Sequence, residues 1–222
     1  MERPGHRGHA PRRRRLRHRA QGGAREAARP AGHPRVTLRL LSAADRVAVP
    51  WKNGGGITYE VAAWPPGADF DTFDWRVSMA EVRSDGPFSV FPDIDRILAV
   101  LQGRMRLCVV GQGPVLLSHR TPHAAFPGDT PTNAKVEAGP VLDLNVMARR
   151  GRIRPTLDRL DAPALLAATR ADRLVVAIGG VVRVGALKLG PLDAVHVPPN
   201  SGPLPTAPAP GAFAYAITFD RV

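Results

Sequence analysis

The chain has 222 residues, 44% of them hydrophobic, a formal net charge of +12 and a single cysteine, Cys108. That length admits one large domain or two small fused ones, and no apolar run approaches the roughly 20 residues that span a bilayer. A lone thiol excludes a disulfide framework and a multi-cysteine zinc site, and it suits a reduced, cytoplasmic setting.

The first 35 residues hold eleven arginines and two glutamates, so +9 of the charge lies there and only +3 in the remainder. This segment is built from Arg, Ala, Gly, His and Pro without hydrophobic periodicity, a composition that cannot bury a core and is expected to be disordered. Its run Arg12–Arg15 would suit a nucleic-acid arm. A secretory signal is a weaker reading, because no apolar core follows the arginines. The reading favoured here is a start placed too far upstream, with Val36 the true one, read from a GTG codon.

From Val36 onward, short Val-, Ile-, Leu- and Phe-rich runs alternate with Gly, Pro and Asp clusters, the pattern of strands and turns. Strands are predicted at Thr37–Leu41, Ile57–Ala63, Asp74–Val82, Phe88–Phe91, Asp95–Gln102, Arg104–Val110, Val115–Leu117, Ala134–Glu137 and Leu142–Met147. One helix is predicted at Ala162–Thr169, with Asp161 as N-cap and Pro163 in its first turn. Strands resume at Arg173–Ile178, Val181–Leu189, Ala194–Val197 and Phe213–Phe219. Many short strands with turn signals between them predict an all-β sandwich or barrel.

Between the first two strands stands Pro50-Trp51-Lys52-Asn53-Gly54-Gly55-Gly56. Consecutive glycines cost backbone entropy and permit positive φ and close approach. The loop is therefore sharply shaped, and it presents an aromatic plate, a cation and an amide as a pocket rim would. Its plain alternative is a strand-entry turn with a solvated lysine. The glycines follow the lysine, which rules out a phosphate-binding P-loop.

An internal echo links two segments. Arg96-Ile97-Leu98-Ala99-Val100-Leu101-Gln102-Gly103 aligns without gaps on Arg173-Leu174-Val175-Val176-Ala177-Ile178-Gly179-Gly180. Each continues into a second strand and later into a Gly/Pro-Asp turn, Gly128-Asp129 and Gly190-Pro191-Leu192-Asp193. Duplication of one β unit accounts for both.

Strand, glycine, strand, then a Gly-Asp turn resembles the cupin double-stranded β-helix. The sequences Pro-Trp-Lys-Asn-Gly-Gly-Gly (50–56), Asp74-Trp75-Arg76-Val77-Ser78-Met79-Ala80-Glu81-Val82 and Asp85-Gly86-Pro87-Phe88-Ser89-Val90-Phe91-Pro92 are similar to signatures of the HutD/Ves family. So are Leu101-Gln102-Gly103 and Asp143-Leu144-Asn145-Val146-Met147. The resemblance is strong over 36–150, looser beyond, and absent from the tail. It implies a bicupin: a first unit over 36–150 and a second, degenerate unit over 151–222 packed on it. It also implies a cytoplasmic protein associated with histidine utilisation, binding an intermediate such as N-formylglutamate, with no established catalysis. Against the cupin motifs, Ser89, Phe91, Arg96 and Pro131 stand where metal ligands would be, so neither metal nor other cofactor is expected. His119 and His123 read as surface histidines and His196 as a structural one.

Period-two alternation places Arg76 and Ser78 on one face of their strand and Trp75, Val77, Met79 and Glu81 on the other; either face could line a lumen. An inward Arg76 would need a partner, which makes it a carboxylate receptor; outward, it would be an ordinary salt-bridged arginine. By the cupin analogy Ser89 and Phe91 face the same cavity. Lys52 and Asn53 would close its mouth, and Asp143 and Asn145 point inward together, with Lys52 or Arg96 as mate for Asp143. The expected ligand-binding set is thus Trp51, Lys52, Asn53, Glu60, Arg76, Ser78, Ser89, Phe91, Arg96, Asp143 and Asn145, and no catalytic residue is assigned. Their plain alternative is a structural polar cluster tying strands to loop. Cys108, in an apolar strand, reads as packing.

Three function classes follow. The leading one is a metal-free binding protein that senses or sequesters a small anionic amino-acid catabolite. The second is a metal-independent isomerase, cyclase or hydrolase with Glu60, Glu81 or Asp143 as general base. The third is a nucleic-acid-associated regulator acting through the tail. The expected partner is a small anionic metabolite and, as an option, a second copy in a homodimer. Neither membrane nor nucleic acid is expected to bind the folded body.

Overall fold

The computed structural model describes residues 37–222; the Arg-rich tail expected over 1–35 lies outside them. In chain order the strands are β1 (Arg39–Leu41), β2 (Ala48–Pro50), β3 (Gly56–Trp64), β4 (Trp75–Val82), β5 (Gly86–Pro87), β6 (Ile94–Val109), β7 (Val115–Ser118), β8 (Ala124–Pro127) and β9 (Thr132–Arg149). They continue as β10 (Ile153–Leu160), β11 (Ala164–Leu166), β12 (Asp172–Ile178), β13 (Val182–Val184), β14 (Leu187–Leu189), β15 (Ala194–Val197), β16 (Leu204–Pro208) and β17 (Phe213–Arg221). Among the described residues the one helix is a 3₁₀ turn, Ala43–Asp45, with the Ser42 hydroxyl accepting from the Ala44 N–H. No helix there is long and apolar enough to cross a membrane.

β2 to β9 form one eight-stranded sheet, ordered β2-β3-β4-β9-β6-β7 with β5 on β9 and β8 on β6. It wraps around a core that includes Val82, Leu98, Val100, Met105, Leu107, Leu117, Phe126 and Val141; this is the first barrel. The rest of the chain forms a five-stranded sheet, β1-β15-β12-β17-β10, and a four-stranded one, β11-β16-β13-β14. They enclose a second core of Val175, Ala177, Val182, Val184, Leu189, Val195, Val197 and Ala214, the second barrel. β1 precedes all first-barrel strands yet pairs β15 of the second, so the two barrels interlock at their start. The fold is a jelly-roll cupin fold.

The largest core lies between the barrels, where the outer faces of β4, β6 and β9 meet those of β10, β12 and β17. Trp75, Val77 and Met79 are buried there, and the Trp75 ring stacks on Phe219 at 4.1 Å between centroids. Because side chains alternate, this burial turns Arg76, Ser78 and Ala80 into the first barrel.

The structure departs from the sequence expectations in several places. The single strand expected over Val181–Leu189 is the hairpin β13-β14, turned at Gly185 with φ 57°, and β2, β5, β8, β10 and β16 fall outside every predicted strand. β6 and β9 each run through a segment expected to break them. At Gly103, β6 bends through register shifts rather than ending. Gly103 has φ 78°, and a Cβ there would lie 2.7 Å from the Ala138 carbonyl oxygen. The predicted helix at Ala162–Thr169 is absent; its centre is β11, paired with β16. Eight residues are too few for a stable helix without packing, and the alternating exposure of Ala164, Leu165 and Leu166 suits a sheet edge. Phe88–Phe91 is not a strand either. Pairing stops at β5, and Pro87 and Pro92 bracket a loop that folds over Arg96 instead.

Candidate functional site

A cavity of about 760 Å³ opens at one end of the first barrel. Its walls come from β3, β4 and β9, from Arg96 at the start of β6, and from the loops after β2, β3, β4 and β5. All eleven residues of the expected binding set line it.

Arg96 forms the deep wall and is only 4% exposed. Its Nε donates to Asn145 Oδ1 at 3.3 Å and its Nη1 to the Ser89 carbonyl oxygen at 3.4 Å. The guanidinium carbon lies 4.7, 5.3 and 5.9 Å from the ring centroids of Phe88, Phe126 and Phe91. Three aromatic faces hold the cation by their quadrupoles while excluding water. Burial lowers the guanidinium to about 10, with Asp143 opposing and the Arg76 charge adding to the shift. Arg96 therefore stays charged at neutral pH.

Asp143 stands on β9 one row beyond Asn145, the residue that Arg96 reaches, and opposite Ala80 of β4 and Val100 of β6. It is 2% exposed, and its Oδ1 is buried without a hydrogen-bond partner. Burial pushes its carboxyl up to about 7, against the pull of Arg96 and of a hydrogen bond from the Ala80 backbone. Among the described residues Arg96 makes no ion pair with any carboxylate, because its hydrogen bonds go elsewhere. The expectation that Lys52 or Arg96 would pair with Asp143 is corrected accordingly: Arg96 is its nearest compensating charge but not its hydrogen-bond partner.

Nearer the mouth, Arg76 Nε donates to Glu60 Oε2 at 2.8 Å and Nη1 to Ser78 Oγ at 3.3 Å. The ring of Phe70 covers its guanidinium at 4.9 Å. Glu60 is half exposed and Ser78 buried. The glycine loop supplies the rim. Trp51 Nε1 donates to Thr58 Oγ1 at 2.8 Å, fixing the indole against Gly56, where an added Cβ would lie 3.0 Å from the ring. Asn53 Oδ1 accepts from the Gly55 N–H at 3.0 Å, so this amide shapes the turn as well as lining the cavity. Lys52 is exposed and makes no ion pair with any described residue. Ser89 meets Arg96 through its carbonyl rather than its hydroxyl.

Glu81 does not join the site. It lies on the opposite face of β4, near Tyr59 and Arg83, which removes it as a general base for this cavity. Phe70, Phe88 and Phe126 were missed by the sequence reading, because an aromatic residue carries no mark of which cation it will cover. Asp85 was missed too; its Oδ1 accepts from the Val136 N–H at 2.7 Å and ties the rim to β9.

The donors do not fit the metal of metal-binding cupins. No group of three or more His, Cys, Asp or Glu lies together among the described residues, and the buried guanidinium of Arg96 would repel a divalent cation at this wall. Outside the cavity, His196 Nε2 lies 2.8 Å from Asp172 Oδ1 in a cleft of about 180 Å³. Cys108 is exposed, not packed as expected.

The HutD family model matches residues 43–210. An uncharacterised 21.2 kDa protein encoded in the hutC 3′ region of Pseudomonas putida is 37% identical over 150 residues, 66% of this chain and 77% of that one. The structure of HutD from Pseudomonas fluorescens SBW25 (formate condition) superposes with a TM-score of 0.74 at 29% identity, over 84% of this chain and 100% of the other. A variant of Bacillus subtilis oxalate decarboxylase shares the fold alone, with a TM-score of 0.58 at 9% identity over 81% of this chain and 76% of the other.

Proposed function

The chain belongs to the HutD family, and we propose that it is a metal-independent, cupin-type binding protein for a small anionic amino-acid catabolite of histidine utilisation. The ligand is N-formylglutamate-like, carrying a carboxylate and an amide. The protein senses or sequesters it in the cytoplasm, with neither membrane nor nucleic acid as partner.

One observation carries this reading. Arg96 is a charged guanidinium, 4% exposed, at the floor of a cavity, with no carboxylate paired to it among the described residues. A buried charge is costly unless compensated, and a planar guanidinium is the preferred receptor for a carboxylate. Asn145, Ser78 and Lys52 supply further polar contacts along the cavity. Isothermal titration of the full chain, and of a chain starting at Val36, with N-formyl-L-glutamate, urocanate and histidine tests it. Saturable heat with a carboxylate is expected, and none with any of the three overturns the reading.

A second reading, a metal-independent isomerase, cyclase or hydrolase, is favoured by one fact: the Asp143 carboxyl is held at about 7, near the working point of a general base. Turnover of a candidate metabolite that disappears in Asp143→Asn while the fold persists would establish it. The nucleic-acid reading rests on the tail, outside the described residues. Salt-steep binding that vanishes on removal of residues 1–35 would be its signature.

A further inference from the structure

Resting on the binding reading above, we propose that Asp143 is a specificity-determining residue that meets the ligand's carboxylate as a neutral carboxylic acid, so that anion binding brings a proton into the site wherever Asp143 is ionised in the free protein. The geometry leads there in three steps.

First, Asp143 is 2% exposed, lines the cavity and has a buried Oδ1 with no partner. A buried polar atom left unsatisfied costs free energy, and the same carboxyl group belongs to a side chain that lines the cavity, so a small side-chain rotation is what brings it to a ligand. Second, the charged groups around the cavity are Arg96 from β6, Arg76 from β4, Glu60 from β3, and Lys52, Asp69 and Asp85 from the loops. The other three carboxylates are engaged: Glu60 with Arg76, Asp69 with Thr72 and Asp85 with the Val136 N–H. Asp143 is therefore the carboxyl left to share the deep wall with Arg96.

Third, a ligand carboxylate drawn to Arg96 arrives beside Asp143. Two carboxylates around one guanidinium repel each other in a site that water cannot screen, and they relieve the repulsion by sharing a proton. The proton comes from solvent, rests on Asp143 and is donated in an O–H···O bond to the ligand oxygen, while Arg96 keeps its charge. Burial already holds the Asp143 carboxyl up at about 7 in the unliganded protein. The site thereby prefers a carboxylate over a neutral amide, which can accept a hydrogen bond from Arg96 but brings no charge to compensate it.

The test is titration of N-formyl-L-glutamate, whose own groups do not ionise between pH 6 and 8.5, into wild type and Asp143→Asn. Two buffers of different ionisation enthalpy count the protons. A thermal melt confirms that the variant is folded. For wild type, affinity is expected to fall about thirtyfold from pH 6 to pH 8.5, with close to one proton taken up per ligand at the upper end. The amide that replaces the carboxyl is uncharged at every pH and still able to donate, so Asp143→Asn should bind within a few-fold of wild type at pH 6, without pH dependence. Binding by wild type that is pH-independent and takes up no proton overturns the inference and leaves the binding reading standing. So does a folded Asp143→Asn that no longer binds at pH 6, because an ionised Asp143 would then be accepting a ligand N–H. Absence of binding by both proteins overturns the binding reading and this inference with it.

Discussion

The two barrels pair their strands in matching registers and treat their interiors in opposite ways. Their strand registers can be compared row by row. In the first barrel Arg76, Met147 and Arg96 stand side by side, then Ser78, Asn145 and Leu98, then Ala80, Asp143 and Val100. In the second the matching rows are Thr156, Thr218 and Arg173, then Asp158, Ala216 and Val175, then Leu160, Ala214 and Ala177. Asn145 and Asp143 are thus answered by Ala216 and Ala214. Both barrels keep the arginine at the strand entrance. In the second it is only half buried and spends its hydrogen bonds on Thr218 Oγ1 and the Ala167 carbonyl oxygen. The second interior is closed by Val, Ala and Leu side chains, none more than 1% exposed, with Thr206 of β16 the uncharged polar side chain buried opposite Val184. One barrel is packed for stability, and the other gives up packing to hold polar groups around a cavity.

Placing a carboxyl where the second barrel has alanine should break that division most severely. Ala214→Asp would bury a carboxyl with no guanidinium beside it and overfill a closed core. A loss of about 4 kcal/mol or more is expected in chemical denaturation; a loss under about 1 kcal/mol would mean that the second interior is not closed.

The carboxyl already present in the first barrel should show its cost through pH. The folded-state value of Asp143, about 7, lies above its ordinary 3.8, so the native state binds the proton more tightly than the unfolded chain does. Its contribution to stability is therefore most favourable below about pH 4, is lost as pH rises toward 7, and is flat above that. Relative to wild type, Asp143→Asn should gain about 2.5 kcal/mol between pH 5 and pH 7.5, measured as the change in the difference of their unfolding free energies. A constant difference would mean that Asp143 is not buried as an ionisable group.

Smaller effects belong to the rim. Gly56→Ala would press a methyl group against the Glu81 carbonyl oxygen and the Trp51 ring. It should cost about 1–3 kcal/mol and shift the Trp51 fluorescence. Lys52→Ala should leave the denaturation midpoint unchanged, because Lys52 is exposed, and weaken carboxylate binding only a few-fold, more at low salt than at high.

Much of this architecture was legible from local pattern. Alternation in Asp74–Val82 separated Arg76 and Ser78 from Trp75, Val77 and Met79, and the burial of the latter between barrels decided which face looks inward. The same alternation put Asp143 and Asn145 on one side of β9. What stayed hidden was set by distant partners. The segment Ala164–Leu166 pairs with Leu204–Pro208, some forty residues on, and nothing in its own composition says so. Gly103, and the gap between the strands expected at Ala134–Glu137 and Leu142–Met147, were read as breaks, because a bulge within a continuous ladder uses the same residues as a break. The three phenyl rings around Arg96 come from β8 and from the loop before β6, a juxtaposition with no trace in sequence spacing.

The central claim is that the first barrel binds a carboxylate through Arg96 while the second, with the corresponding arginine, does not. Titration of N-formyl-L-glutamate into wild type, Arg96→Met and Arg173→Met at pH 6 tests it most directly. Binding by wild type and Arg173→Met, with at least about a hundredfold loss in a folded Arg96→Met, is the expected result. Undiminished binding by Arg96→Met, or loss through Arg173→Met instead, would contradict it.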